Sequence, residues 1–308
     1  MTKTILVTGG AGFIGSHLCD GLLERGYSVR VIDDFSTGKM GNLPANHPQL
    51  LVIKGDIQDH AALDAAVQGC SGVVHLAAVA SVQASVDNPV ATHGANFIGT
   101  LNLLESCRCH GVKRIIYASS AAVYGDTEIL PVSEAIPPRP LTPYAADKLA
   151  GEQYLDFYRR QHGLEPGIFR FFNIFGPRQD PSSPYSGVIS IFTDRSRAGQ
   201  GLTVFGDGGQ TRDFVYVADL IEILIQALEC DALLPGPVNV GNGQQTSLNQ
   251  LISELSLLCA RDIPVQYLAA RKGDIKHSRA DNSRLRARFN FQPQTTFGQG
   301  LRILMQTG

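Results

Sequence analysis

Residues 4–8 (TILVT) form a short run of apolar and β-branched side chains that stops at Gly9-Gly10, the pattern of a buried strand ended by glycine. From residue 13 to 25 the period changes to a helical one. Ile14, Leu18 and Leu22 fall on one face, and Gly26 follows as a C-terminal stop. The exchange then repeats. Strands are predicted at 28–32, 50–53, 73–76, 114–118 and 167–171, with helices at 60–68, 94–110 and 144–162. Strand and helix in repetition specify an α/β fold with a doubly wound parallel sheet. After residue 174 the alternation weakens. Proline, glycine and serine cluster at 176–187. A helical piece to about 199, a strand at 202–205, a helix at about 217–229 and a strand at 238–240 follow, then irregular helix and loop. The expected division is 1–174, with the strand near 238–240 returning to it, and a smaller mixed C-terminal lobe over 175–308.

Composition narrows the function. The 308 residues are 44% apolar and only 18% charged, enough to fill a large core. A net charge of −2 provides no basic footprint for nucleic acid and no polybasic membrane patch. No apolar run approaches the ~18 residues needed to span a bilayer, and the N-terminal run is too short for a signal peptide. Cys19, Cys70, Cys107, Cys109, Cys230 and Cys259 are scattered and lack ligand spacing, so no metal is expected and a reducing, cytoplasmic setting is.

Gly9, Gly12 and Gly15 form G-x-x-G-x-x-G between a strand and a helix. The first permits the tight turn, the second a close approach to a pyrophosphate, and the third close packing of helix on strand. The helix N-terminus adds the positive end of its dipole. Asp33 ends the second strand 18 residues after Gly15, where a carboxylate accepts hydrogen bonds from a ribose and repels a 2′-phosphate. The pattern is that of a Rossmann-like dinucleotide site and favours NAD over NADP.

A second constellation carries chemistry. Tyr144 and Lys148 stand at i and i+4 on one helix face, with Thr142 as its cap and Pro143 in its first turn. The ammonium is expected to depress the Tyr144 pKa toward neutrality and make the phenol a proton shuttle. Ser120, just past the fifth strand, can bond a substrate oxygen and relay a proton.

These segments together resemble the extended short-chain dehydrogenase/reductase superfamily. They are TGGAGFIG at 8–15, YASSAAVYGD at 117–126, PYAADK at 143–148, RFFNIFGPRQ at 170–179 and GDGGQTRDFVYVAD at 206–219. Within it the chain is similar to the UDP-glucose and UDP-N-acetylglucosamine 4-epimerases, from residue 3 to about 290. The resemblance implies Ser120, Tyr144 and Lys148 as catalytic residues. It implies NAD contacts at Gly9, Gly12, Phe13, Ile14, Gly15, Asp33, Asp56, Ile57, Ala77, Asn96, Tyr144, Lys148 and Phe171. Nucleotide-sugar contacts follow at Ser120, Tyr144, Asn173, Thr203, Phe205, Arg212, Arg271 and Asp274. Arginine suits a diphosphate because it can pair through two parallel hydrogen bonds.

Neighbouring positions bear on the reaction. Sister 4,6-dehydratases place an Asp-Glu pair, and decarboxylases a glutamate, where this chain has Ala121 and Ala122. Neither alanine moves a proton, which argues for epimerisation over dehydration or decarboxylation, with a deoxysugar reductase or a non-catalytic cofactor-binding scaffold as further alternatives. Ser278 stands where many epimerases restricted to non-acetylated sugars carry a tyrosine, and Gly187 is small at another wall position. Both acetylated and non-acetylated UDP-hexoses are therefore expected as substrates. His75, inside VVHL, reads as a satisfied core histidine. By analogy a homodimer is expected, with Leu101, Leu104, Leu155 and Tyr158 as candidate contacts.

Overall fold

A computed structural model describes residues 3–181, 187–233, 235–270 and 275–307. In chain order the first half contains β1 (Thr4–Thr8), α1 (Phe13–Glu24), β2 (Ser28–Asp33), β3 (Leu50–Lys54), α2 (His60–Val67), β4 (Gly72–His75), α3 (Val82–Asp87), α4 (Pro89–His93), α5 (Gly99–His110), β5 (Arg114–Ser120), α6 (Pro143–His162) and β6 (Glu165–Phe171). Then come β7 (Asn173–Phe175), α7 (Val188–Arg197), β8 (Leu202–Phe205), β9 (Thr211–Arg212), β10 (Phe214–Tyr216), α8 (Val217–Glu229), β11 (Pro237–Val240), β12 (Thr246–Ser247), α9 (Leu248–Cys259), β13 (Val265–Leu268), α10 (Ser283–Phe289) and α11 (Phe297–Gln306).

Seven strands make one sheet in the order β11-β6-β5-β4-β1-β2-β3. The pairings that join β5, β4, β1, β2 and β3 are parallel and in register over four or five residues. The order reverses between β1 and β4. Chains wound this way gather ligands at that switch point, beyond the carboxyl ends of the strands. One face of the sheet packs against α2, α5 and α6 through Leu6, Ile32, Ile115, Tyr117, Leu63, Leu103, Leu104 and Leu155. α1 lies with α8 elsewhere: a Cβ at Gly21 would come 3.1 Å from Ile221 and Ile225.

The chain divides into two compact units. The first is Met1–Gly125, Pro138–Arg170 and Ile221–Val238; the second is Asp126–Pro137, Phe171–Leu220 and Asn239–Gly308. The return after the middle of the chain is thus longer than one strand, because most of α8 belongs with the first unit. The sequence also misses the excursion at 126–137, a loop that bonds within the second unit: Val132 bridges Ala280, and Glu134 accepts the Asn239 N–H at 2.8 Å. Among the described residues the second unit carries three two-stranded sheets, β7 with β10, β9 with β12 and β8 with β13.

Two expectations need correction. The helix at 94–110 is α5 preceded by a π-wound turn at Gly94–Ile98, and α3 and α4 lead into it. Leu104, Leu155 and Tyr158 are not available as contacts between copies. They are 0%, 1% and 4% exposed, and Leu101 packs against the same core. The apolar side chains this region does expose are Ile98, Tyr154 and Phe157.

Candidate active site

The β1–α1 turn is built so tightly that no Cβ fits at Gly9 or Gly15. Gly9 has φ +69°, and a Cβ there would sit 2.8 Å from the Ala77 nitrogen. A Cβ on Gly15 would lie 2.2 Å from the Gly9 oxygen. Gly12 is the N-cap of α1 and supplies no side chain to its orphan N–H groups. By contrast α2, α3, α4 and α6 are capped by Asp59, Ser81, Asn88 and Thr142. The first N–H groups of α1, at Phe13 and Ile14, are therefore left for an anion, which is what a pyrophosphate requires. Asp33 is 6% exposed, and its carboxylate accepts the Ala11 N–H at 2.9 Å and the Phe35 N–H at 2.8 Å. It holds the glycine turn from beneath. Asp56 is exposed after β3 and takes the Gln58 N–H at 2.8 Å, while Ile57 beside it is buried against Gly99. Phe171, partly buried, ends β6.

His75 is the core histidine the strand pattern predicts. It is 1% exposed; Nδ1 lies 2.7 Å from the Thr8 hydroxyl and Nε2 2.9 Å from that of Thr100. Thr100 donates its own proton to the Asn96 carbonyl, so it accepts from Nε2–H, and Nδ1 accepts from Thr8. Burial pushes the imidazole pKa down to about 3, with the nearby Lys148 charge acting the same way. Thr8 also accepts the N–H groups of Leu76 and Ala77 at 3.2 Å. Asn96, buried, spends its amide on Val79, accepting the N–H at 2.7 Å and donating to the carbonyl at 3.1 Å. The network fixes the loop carrying Ala77 beside the glycine turn, so Asn96 shapes the cofactor cradle.

Ser120, Tyr144 and Lys148 are brought together. Ser120 ends β5 and takes the Ala122 N–H at 3.2 Å. Its hydroxyl reaches the Tyr144 phenol closely enough to lower that group's pKa. Lys148, 3% exposed, puts Nζ 6.0 Å from the Tyr144 ring centroid and 5.0 Å from that of Tyr117. The expected depression of the Tyr144 pKa by Lys148 does not hold. Burial raises it, and the Ser120 hydroxyl opposes that rise. At this distance the ammonium does not outweigh desolvation. Lys148 is itself pushed down to about 8 by burial, against the pull of Asp147 and Glu152.

The sequence reading missed Glu152, although Tyr144, Lys148 and Glu152 follow one another at i, i+4 and i+8 on α6. Glu152 is buried and receives two hydrogen bonds from Arg170, at 2.8 and 2.6 Å, and one from Ser119. It ties the ends of β5 and β6 to the helix that carries the tyrosine. The i+4 spacing was the signal that could have found it.

In the second unit Asn173 is exposed on β7, next to the strand that continues from Arg212. Its N–H bonds the Asp213 carbonyl at 3.1 Å. Arg212, half-buried on β9, donates to the Thr211 carbonyl at 2.9 Å. Asp213 is fully buried and accepts the N–H groups of Asn242, Gly243 and Ala280 at 2.8 to 3.0 Å. Burial pushes its pKa up to about 6 despite those bonds. Its carboxylate anchors the loops around Arg212. Ser278 donates its N–H to the Thr211 carbonyl at 3.2 Å, and His277 Nδ1 lies 3.0 Å from the Thr211 hydroxyl. Ser278, Arg212 and Asn173 are thus gathered on neighbouring backbone. Thr203 and Phe205 lie on β8, with the Phe205 carbonyl held by Gln210 at 2.7 Å. Gly187 begins α7. Arg271 and Asp274 fall outside the described residues. Among the described residues no group of three or more metal-ligating side chains occurs.

The capless N-terminus of α1, the close-packed Gly9 and Gly15 and the buried Asp33 fit a dinucleotide. Comparison with known proteins agrees. Residues 5–241 match the model of the NAD dependent epimerase/dehydratase family. The UDP-glucose 4-epimerase of Mycolicibacterium smegmatis is 38% identical over 306 residues, 96% of this chain and 95% of that one. The fold superposes with a TM-score of 0.95 on a UDP-N-acetylglucosamine 4-epimerase from Methanobrevibacter ruminantium, solved with UDP-N-acetylmuramic acid, at 40% identity with 99% of this chain and 98% of that one covered. It also superposes on the UDP-glucose 4-epimerase of Thermotoga maritima, solved with UDP-glucose, with a TM-score of 0.93 at 37% identity, covering 99% and 98%. With a Gly9/Gly12/Gly15 turn, a Tyr144/Lys148 helix and this breadth of likeness, the chain belongs to the NAD-dependent epimerase/dehydratase family.

Proposed function

We propose that the chain is a UDP-hexose 4-epimerase that uses NAD and accepts both UDP-GlcNAc/UDP-GalNAc and UDP-Glc/UDP-Gal. The observation that carries the reading is the Ser120–Tyr144–Lys148 constellation held in the same compact unit as the glycine turn, with alanines at 121 and 122 where a dehydratase or decarboxylase needs acids.

The first unit is the NAD-binding domain. Gly9, Gly12, Phe13, Ile14 and Gly15 present backbone to the pyrophosphate, and Asp33 faces the adenosine ribose. Asp56, Ile57, Ala77, Asn96, Tyr144 and Lys148 are further cofactor contacts in this unit, and Phe171, at the end of β6, is the one that falls in the second unit. NAD, when bound, brings a positive charge to the site and takes up the C4 hydrogen with its electron pair. Tyr144 removes the proton of the sugar 4-OH and later returns it. Ser120 bonds the same oxygen and passes the proton on. The resting phenol is held protonated by burial, so its activation requires added positive charge, for which Lys148 and the cofactor are the sources. Loss of the hydride and the proton would leave a 4-keto sugar; once it presents its other face, the same hydride and a proton would return to C4 and its oxygen and restore the alcohol inverted, with no net redox.

The second unit binds the nucleotide sugar. Arg212 and Arg271 pair with the diphosphate, and Asn173, Thr203, Phe205 and Asp274 hold the rest. Ser278 and Gly187 leave room for a 2-N-acetyl group. The chain acts in the cytoplasm as a homodimer whose interface uses Ile98, Tyr154 and Phe157, a state that sedimentation at micromolar concentration tests.

Tyr144→Phe is the experiment that tests the assignment. It is expected to lower turnover by about a hundredfold or more with NAD content and thermal stability unchanged. A variant with near-normal turnover would refute the role.

A further inference from the structure

The Lys148 ammonium is buried, and the groups around it can be named element by element. α6 contributes the Tyr144 ring, 6.0 Å from Nζ, and the carboxylates of Asp147 and Glu152. Both carboxylates are engaged by other partners. Asp147 Oδ1 meets His93 Nδ1 at 2.7 Å, and side chains at consecutive helix positions point apart. Glu152 receives Arg170 at both oxygens, at 2.8 and 2.6 Å. β4 contributes His75, which burial keeps neutral. β5 contributes Tyr117, fully buried, with the Lys148 nitrogen over its ring at 5.0 Å from the centroid. The ring is held in that place on several sides. Its hydroxyl donates to the Lys148 carbonyl at 3.4 Å, and its centroid lies 5.8 Å from that of His75. Gly151 gives it room, because a Cβ there would come 2.8 Å from the ring carbon that carries the hydroxyl. Burial also pushes the Tyr117 phenol well above its ordinary range, so the ring presents a neutral, electron-rich face throughout the neutral range.

We propose that Tyr117 is a positioning residue: the face of its ring holds the Lys148 ammonium by cation–π attraction where that charge can serve Tyr144. The inference rests on the reading of Lys148 as the cation that activates the phenol, and it is independent of which sugar is bound. A cation within about 6 Å of a ring centroid is attracted by the ring quadrupole, more strongly away from water. The aromatic face thus stabilises the charged form of a buried lysine against desolvation. A carboxylate in that place would cancel the field of the ammonium at the Tyr144 oxygen. A quadrupole falls off faster with distance and leaves most of that field intact.

The test alters the electrons of the ring and keeps its shape. Tyr117→Phe retains the face and removes the hydroxyl. In further proteins, phenylalanines bearing one, two and three ring fluorines are incorporated at position 117, each fluorine drawing charge from the face. Lysine is labelled with ¹³C at Cε in the protein as purified, and the Lys148 signal is assigned by its loss in Lys148→Arg. Tyr117→Phe is expected to hold the Lys148 titration midpoint near that of the wild type. The midpoint should then fall in steps with fluorine number, by about one pH unit at three fluorines. The alkaline limb of the kcat–pH profile should fall with it, while the acid limb and the thermal stability stay in place. A midpoint that ignores fluorine number overturns the proposal. So does a fall in Tyr117→Phe as large as that with three fluorines, which would assign the effect to the hydroxyl. If the three-fluorine protein does not fold, the same comparison among none, one and two fluorines decides. Because the titration is read without turnover, a chain that shows the steps but epimerises nothing refutes the enzymatic reading alone, and an active enzyme with a flat series refutes only the role of Tyr117.

Discussion

Gly15→Ala tests the cofactor cradle through a single methyl group. The added Cβ would lie 2.2 Å from the Gly9 oxygen, 2.7 Å from the Gly10 Cα and 2.9 Å from the Gly9 carbonyl carbon. All three are backbone atoms of the turn itself, and side-chain Cβ atoms do not approach closer than 3.0 Å. No rotamer relieves the overlap, so α1 must back away from the turn. Overpacking of this kind costs about 1–3 kcal/mol in stability. The cost to NAD is larger, because the helix N–H groups move out of hydrogen-bond range of the pyrophosphate. A hydrogen bond to a charged group is worth about 1.5–3 kcal/mol, so losing two raises Kd at least about a hundredfold. Gly26→Ala, at the other end of α1, is the control. Its φ is +79° but nothing lies within 4 Å of the new Cβ, so it costs about 1 kcal/mol of backbone strain and leaves the cradle untouched. NAD content of the purified variants, followed by calorimetric titration of stripped protein, separates the two. A Gly15→Ala protein that binds NAD within threefold of the wild type would refute the packing argument.

Ser278→Tyr should reduce turnover of UDP-GlcNAc at least tenfold relative to UDP-Glc, and equal losses on both would remove Ser278 as the wall of the acetyl pocket. His75 gives a pH dependence of stability. Its pKa falls from 6.5 to about 3 on folding, so below pH 6.5 the unfolded chain binds a proton that the folded chain refuses. Stability present above pH 6.5 is then lost at up to about 1.4 kcal/mol per pH unit down to pH 3, roughly 2 kcal/mol at pH 5. Urea unfolding at pH 7 and pH 5 measures the loss, and a His75→Gln protein showing an equal loss would assign it elsewhere.

The parts of this fold that were legible in sequence are those where a local pattern decides the outcome. β1, the glycine turn and α1 sit within a residue of their predicted bounds, and α8 matches its predicted bounds. The pieces that escaped are short or depend on distant partners. β9 and β12 have two residues each and exist because Arg212 pairs with Thr246. α3 and α4 expose Val82, Val86 and Val90, so they carry no clear apolar face. α9 and α11 were readable: Ser247 with Gln250, and Thr296 with Gln299, form capping boxes at their starts. In the site, residue identity was enough for Ser120, Tyr144 and Lys148. It could not reveal that burial, invisible in a motif, outweighs Lys148 at the Tyr144 phenol. For the same reason the sequence left Leu104 and Leu155 open between a contact with a second copy and a place against the sheet, and the structure puts both in the core.

Epimerisation is read in one experiment by giving the purified protein, with no cofactor added, UDP-GlcNAc in one sample and UDP-Glc in another. The anomeric protons are followed by NMR. The account predicts conversion of each to its galacto epimer until equilibrium, with no net change in NADH absorbance, and loss of both conversions in Tyr144→Phe. No epimer from either sugar, with NAD then supplied in excess, would contradict it.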